Sequence, residues 1–129
     1  MRRVTPTITT LGANEIFVFG SNLAGRHGKG AALLARQKFG AVYGHGIGPQ
    51  GRCYAIPTKD RHLKTLPLAS IQKHVEEFLR RAKSTPELLF WVTEIGCGLA
   101  GYSAKEIAPM FRDAPNNCAL PLSFMEVLK

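Results

Sequence analysis

An α/β layered sheet is the fold class this chain predicts, and three observations predict it. Short apolar runs of strand length alternate with helix-forming stretches along 129 residues. Two glycine-rich loops, Phe19 to Gly30 and Ile95 to Tyr102, each follow such a run. No internal repeat, low-complexity tract or linker divides the chain, so residues 1–129 read as one domain, long enough to bury a core without staples.

The elements follow in order. Thr7-Ile8-Thr9-Thr10 is an edge-strand candidate. Ile16-Phe17-Val18-Phe19 is continuous, aromatic and β-branched, which predicts a strand buried on both faces. After the first glycine loop, Ala31 to Phe39 has high helix propensity and Gly40 is its stop. A second strand, Cys53-Tyr54-Ala55-Ile56, ends at Pro57. From Pro67 to Lys83, Ile71, Val75, Phe78, Leu79 and Ala82 recur on one helical face, with Lys73, Glu76, Arg80 and Arg81 on the other. Ser84-Thr85-Pro86 breaks that helix before a third strand, Leu88 to Val92. Ser103 with Glu106 forms a capping box for a short helix through Phe111. Phe124 to Leu128 reads as a last strand.

Composition narrows the function classes. Hydrophobic residues make up 45%, an ordinary globular value. No stretch approaches the roughly 20 apolar residues of a membrane span, and the basic start Met1-Arg2-Arg3 has no apolar core behind it. Cys53, Cys97 and Cys118 are odd in number and widely spaced, which predicts reduced thiols in a cytoplasmic protein and no metal site. The net charge of +8 suits polyanionic partners such as nucleotides or nucleic acid, and equally a basic surface with no such partner.

The glycine loops carry the chemistry. Repeated glycines present bare N–H groups, which at a helix N-terminus suit a phosphate. Two such loops predict a pocket that grips a diphosphate from both sides. Gly25 to Ala31 lacks the Ser/Thr of a triphosphatase loop, and the dinucleotide fingerprint fails in glycine spacing. Cys97, between two glycines, reads as a nucleophile or as a small filler. Asn22 reads as a turn residue or a ligand contact, and Tyr102 as a ligand-stacking ring or a cover for the core. His27 and His45 sit in glycine loops, where exposure is expected and a catalytic role is the alternative. Trp91 and Phe90 read as core rather than as base-stacking platforms.

Three segments together resemble the macro domains: His27-Gly28-Lys29-Gly30-Ala31-Ala32 through Gly40, Tyr54-Ala55-Ile56-Pro57-Thr58-Lys59, and Ile95-Gly96-Cys97-Gly98-Leu99. The similarity is to the branch containing terminal ADP-ribose protein glycohydrolase and the DarG-type DNA ADP-ribosyl glycohydrolases. It implies a three-layer α/β/α mixed sheet binding ADP-ribose or a related nucleotide, without a further cofactor. By position it implies that Lys59 is the catalytic lysine. The ligand would be held by Gly20, Ser21, Asn22, Gly28, Lys29, Gly30, Ala31 and Thr58 on one side. Gly96, Cys97, Gly98, Leu99, Ala100, Gly101 and Tyr102 would close over it on the other. Ala100 stands where the protein glycohydrolase has an aspartate, and Lys29 roughly where another macro branch has one. Asp60 is a local acidic substitute, although neighbours on a strand end point apart unless the chain turns. The resemblance thus implies removal of ADP-ribose from DNA or another acceptor, or a non-catalytic reader or sequestering module with the same pocket. A basic nucleic-acid-binding domain with no nucleotide pocket is the remaining reading of the charge.

Overall fold

The computed structural model describes residues 2–129. Five strands form one mixed sheet in the order β2-β3-β1-β4-β5. They are β1 (Glu15–Asn22), β2 (Gly48–Gln50), β3 (Cys53–Lys59), β4 (Leu89–Val92) and β5 (Cys118–Ala119). All neighbouring pairs are parallel except β2 with β3. The helices are α1 (Gly30–Lys38), α2 (Leu68–Ser84), α3 (Ala104–Ile107), continued by a 3₁₀ turn over Ala108–Phe111, and α4 (Leu122–Leu128).

The period-2 geometry of the strands divides the apolar side chains between two cores. Val18, Tyr54, Ile56, Phe90 and Val92 face the larger one, packed against α2, α3, the 3₁₀ turn and α4. Phe17, Phe19, Cys53 and Ala55 face the other side and meet Ala32 and Ala35 of α1 and Phe39, which caps its C-terminus. The central strand is therefore buried on both faces, and the architecture is the expected three-layer α/β/α mixed sheet. The apolar face of α2 is Ile71, Val75, Phe78 and Ala82, all buried.

This topology positions the cleft. From β1 the chain crosses one face through α1 to reach β3, then crosses the other face through α2 to reach β4. From β4 it continues through α3 and the 3₁₀ turn to β5. The connections leaving the neighbours β1 and β4 thus run in opposite directions on opposite faces and open a crevice at the carboxyl ends of β1, β3 and β4.

Several expectations are corrected. The segment Phe124 to Leu128 is helix, not strand: Pro121 opens α4, and Phe124, Val127 and Leu128 share the side that packs on the larger core. A short apolar run cannot be assigned by periodicity alone, and here helical spacing prevailed. Thr7 to Thr10 forms no strand. The N-terminal segment instead makes a single bridge, Val4 with Leu120, while Ile8 fills the smaller core. Arg2 clamps that segment by donating to the carbonyls of Ala114 (2.7 Å), Pro115 (2.9 Å) and Cys118 (3.1 Å). Pro57 does not end its strand. It pairs with Ser21 beyond the end of β2, where the outer edge of β3 has no ladder to lose. Strand β2 has no signal in the sequence, being the glycine- and proline-containing Gly48–Gln50. The Ser103 capping box is present, with the Ser103 N–H donating to Glu106 at 2.9 Å. The α-helix it starts is one turn long before Pro109 tightens it to 3₁₀.

Candidate functional site

A cleft of about 1010 Å³ lies at the carboxyl ends of β1, β3 and β4, a volume at the upper end of those that hold small-molecule ligands. Its floor is where the strands leave the sheet. Gly20 and Ser21 come from β1, Thr58 and Lys59 from β3, and Thr93 follows β4. The Thr58 hydroxyl donates to the Ser21 carbonyl at 3.2 Å, and that of Thr93 to the Val18 carbonyl at 2.7 Å. A Cβ on Gly20 would meet Gly96 N and Thr58 at ordinary contact distance, so the two glycine loops spring from adjacent backbone.

The first wall is the start of α1. Its N-cap is Lys29, no side chain caps it, and its first turn has no acidic residue. The N–H groups of Gly30, Ala31 and Ala32, which precede the first intrahelical bond from Leu33 to Lys29, therefore have no partner among the described residues. All three residues line the cleft, as do Gly28 and Lys29. Asn22 lines it too, and also builds the loop. Its amide donates to the Arg26 carbonyl and accepts from the Arg26 N–H, both at 2.9 Å.

The second loop forms the facing wall through Gly96, Cys97, Gly98, Leu99 and Ala100. The Cys97 N–H is spent on Glu94, and those of Gly101 and Tyr102 on Gly98 and Gly96. The N–H groups of Gly98, Leu99 and Ala100 remain uncommitted among the described residues, and Leu99 is 71% exposed. Gly101 and Tyr102 do not line the cleft: the Tyr102 hydroxyl donates to the Leu66 carbonyl at 2.7 Å and its ring packs on the larger core.

Lys59 is half-buried at the end of β3, its carbonyl taken by the Leu23 N–H at 2.9 Å. Asp60 does not serve the cleft. Its carboxylate accepts from the N–H groups of His62 (2.8 Å) and Lys64 (3.0 Å), and these bonds, that from Lys64 foremost, hold its pKa below the ordinary value. Burial pushes the Cys97 thiol up to about 11, with Glu94 and Glu106 adding to the effect, so the thiol is protonated at neutral pH and the filler reading fits it. Sequence reasoning missed Arg26, Ala32, Tyr43, Leu63, Thr93 and Glu94, which also line the cleft. Arg26 stands inside the first loop, and Glu94 just precedes the second, so their positions were the available signal. Tyr43 and Leu63 lie in segments brought over by tertiary contacts.

His27 overturns the expected exposure. It is fully buried, edge-on to Phe19 with ring centroids 5.4 Å apart, and neither ring nitrogen has a hydrogen-bond partner among the described residues. His45 is exposed as expected. Loss of hydration lowers the His27 pKa below 6.5; the nearby His45 backbone opposes this in part, and the charges of Arg36 and His45 add to the lowering. The unfolded chain therefore takes up this proton first, and stability falls as pH drops below 6.5 toward the folded value. His27→Leu is expected to flatten the change in melting temperature between about pH 7.5 and about pH 5.5. An undiminished change in the variant would assign the acid sensitivity elsewhere.

Comparison with solved structures finds the same architecture. A macrodomain protein from Streptomyces coelicolor superposes with a TM-score of 0.56 over 92% of this chain and 93% of that one, at 15% identity. This chain has the macrodomain fold. No protein-family model and no curated protein sequence matches it. No helix among the described residues is long and apolar enough to cross a membrane. The crevice of this chain lies at its central strand. The uncommitted N–H groups on both its walls belong to this chain's own loops.

Proposed function

We propose that the cleft binds ADP-ribose or a closely related nucleotide and that Lys59 assists removal of the ADP-ribosyl group from DNA or another acceptor. One observation carries the reading: two sets of uncommitted backbone N–H groups, at the start of α1 and in the second glycine loop, belong to residues that line one cleft with Arg26, Lys29 and Lys59. Such paired donors match the oxygens of a diphosphate, and the helix dipole favours its charge. Lys59 then supplies an ammonium beside the bound diphosphate. In hydrolysis the bond from the ribose anomeric carbon to the acceptor breaks, water oxygen bonds to that carbon, and a water proton leaves with the acceptor. The charge developing in that step is what a positioned cation stabilises.

A reader or sequestering module is the second reading, favoured by the acidic side chains available. Ala100 offers none, and Glu94, the carboxylate lining the cleft, is engaged by the Ser123 hydroxyl at 2.6 Å.

Titration calorimetry with ADP-ribose, against AMP and NAD, tests the pocket. Gly98→Val is the matching variant, because a Cβ there meets nothing within 4 Å and the residue needs no left-handed backbone. The expected result is saturable binding by the native chain, at least about tenfold weaker in the variant, with an unchanged melting temperature. Absence of heat with the native chain at high micromolar ligand would remove ADP-ribose as the ligand.

A further inference from the structure

The segment from Val42 to Ile47 is fastened in place yet presents apolar side chains to solvent. The Gln50 amide accepts from the Val42 N–H at 2.8 Å and donates to the His45 carbonyl at 2.9 Å. The Gly44 N–H donates to the Gly25 carbonyl at 2.9 Å, and the Ser21 hydroxyl donates to the Gly46 carbonyl. Any side chain at Gly46 would overlap the Asn22 carbonyl. On this anchored segment Val42 is 46% exposed, Tyr43 58% and Ile47 49%. The Arg36 guanidinium lies over the Tyr43 ring, 5.5 Å from its centroid. Tyr43 reaches the cleft, whereas Val42, Ile47 and Arg36 lie outside its lining, so the surface continues beyond the pocket.

Charge selects the occupant. Arg36 lies on the Tyr43 ring, and the cleft that Tyr43 borders is lined by Arg26, Lys29 and Lys59, with Glu94, held by the Ser123 hydroxyl, as its carboxylate. An exposed aromatic ring on an anchored segment, bordering a cleft whose cations outnumber its carboxylate, is the combination that binds a flat base and its phosphates. A paired base shows only its edges in the grooves, so a free ring face calls for an unpaired one. We propose that Tyr43, backed by Arg36, is a stacking platform for an unpaired nucleobase of a single-stranded nucleic acid entering the cleft from this rim. The assignment rests on the reading of the cleft as an ADP-ribose site, since the strand is then the acceptor side of the bound group.

Fluorescence anisotropy with a labelled single-stranded oligothymidylate, beside a duplex of equal length and ADP-ribose calorimetry, tests it. Tyr43→Ala is expected to weaken strand binding about tenfold and ADP-ribose binding by a smaller factor. Tyr43→Trp should retain strand binding, and the duplex should bind more weakly and respond less to Tyr43. Arg36→Ala should flatten the salt dependence of strand binding. Strand binding indifferent to Tyr43→Ala overturns the platform, and so does equal dependence for the duplex. An equal loss for ADP-ribose would place that ligand's own adenine on Tyr43 and also overturn it. If the native chain binds no ADP-ribose while strand binding still depends on Tyr43, the cleft reading fails and the platform stands.

Discussion

Lys59→Ala is expected to lower turnover of an ADP-ribosylated oligonucleotide by at least about 100-fold, the usual loss when a positioned catalytic group is removed. Affinity for ADP-ribose should fall by no more than about tenfold, because a half-buried lysine is one contributor among several and solvent screens it. Lys59→Arg keeps the charge but replaces a compact ammonium with a planar fork, so binding should recover and turnover should not. Single-turnover assays beside calorimetry separate the two readings of the cleft. Unchanged turnover in Lys59→Ala would remove the lysine from the chemistry. A native chain that binds ADP-ribose and releases nothing from any acceptor would establish the reader.

Phe78→Ala carries the largest expected stability loss. Phe78 is fully buried on α2, with ring centroids 5.0 Å from Tyr54, 5.3 Å from Phe90 and 6.4 Å from Phe111. It thereby joins α2 to β3, β4 and the 3₁₀ turn. Deleting such a ring removes its transfer energy and leaves a cavity, together about 3–5 kcal/mol. Against a total of about 5–15 kcal/mol for a domain, that is a large share. Urea denaturation followed by Trp91 fluorescence measures it. A loss below about 1 kcal/mol would mean that the surrounding side chains close the cavity.

The readability of the sequence varied with the physics of each segment. The α2 helix was legible because its buried residues recur at helical spacing over 17 residues, longer than any competing element. The central strand was legible through Phe19, but it runs on to Asn22, so Gly20, Ser21 and Asn22 are strand residues rather than loop. Glycine and polar residues there mask the signal, and pairing with β3 supplies it. The opposite failure is α4, where an apolar run of strand length folded as helix because the larger core offered its face a partner. His27 followed the same logic. A loop position predicts exposure, but this loop folds back over the smaller core and carries the ring against Phe19.

For the cleft, the sequence by itself determined the two glycine-rich loops, Lys59 between them, and a cationic stretch with no acidic residue from Ile16 to Lys59. These follow from local chemistry: glycine frees N–H groups, and charge adds along the chain. Only the tertiary structure decided that both loops and Lys59 meet at one switch point, that Gly101 and Tyr102 stay outside it, and that Arg26, Tyr43, Leu63 and Glu94 join it. Those outcomes depend on which strands neighbour β1 and which face each crossover takes. Contacts between residues distant in sequence settle both, and no local pattern encodes them.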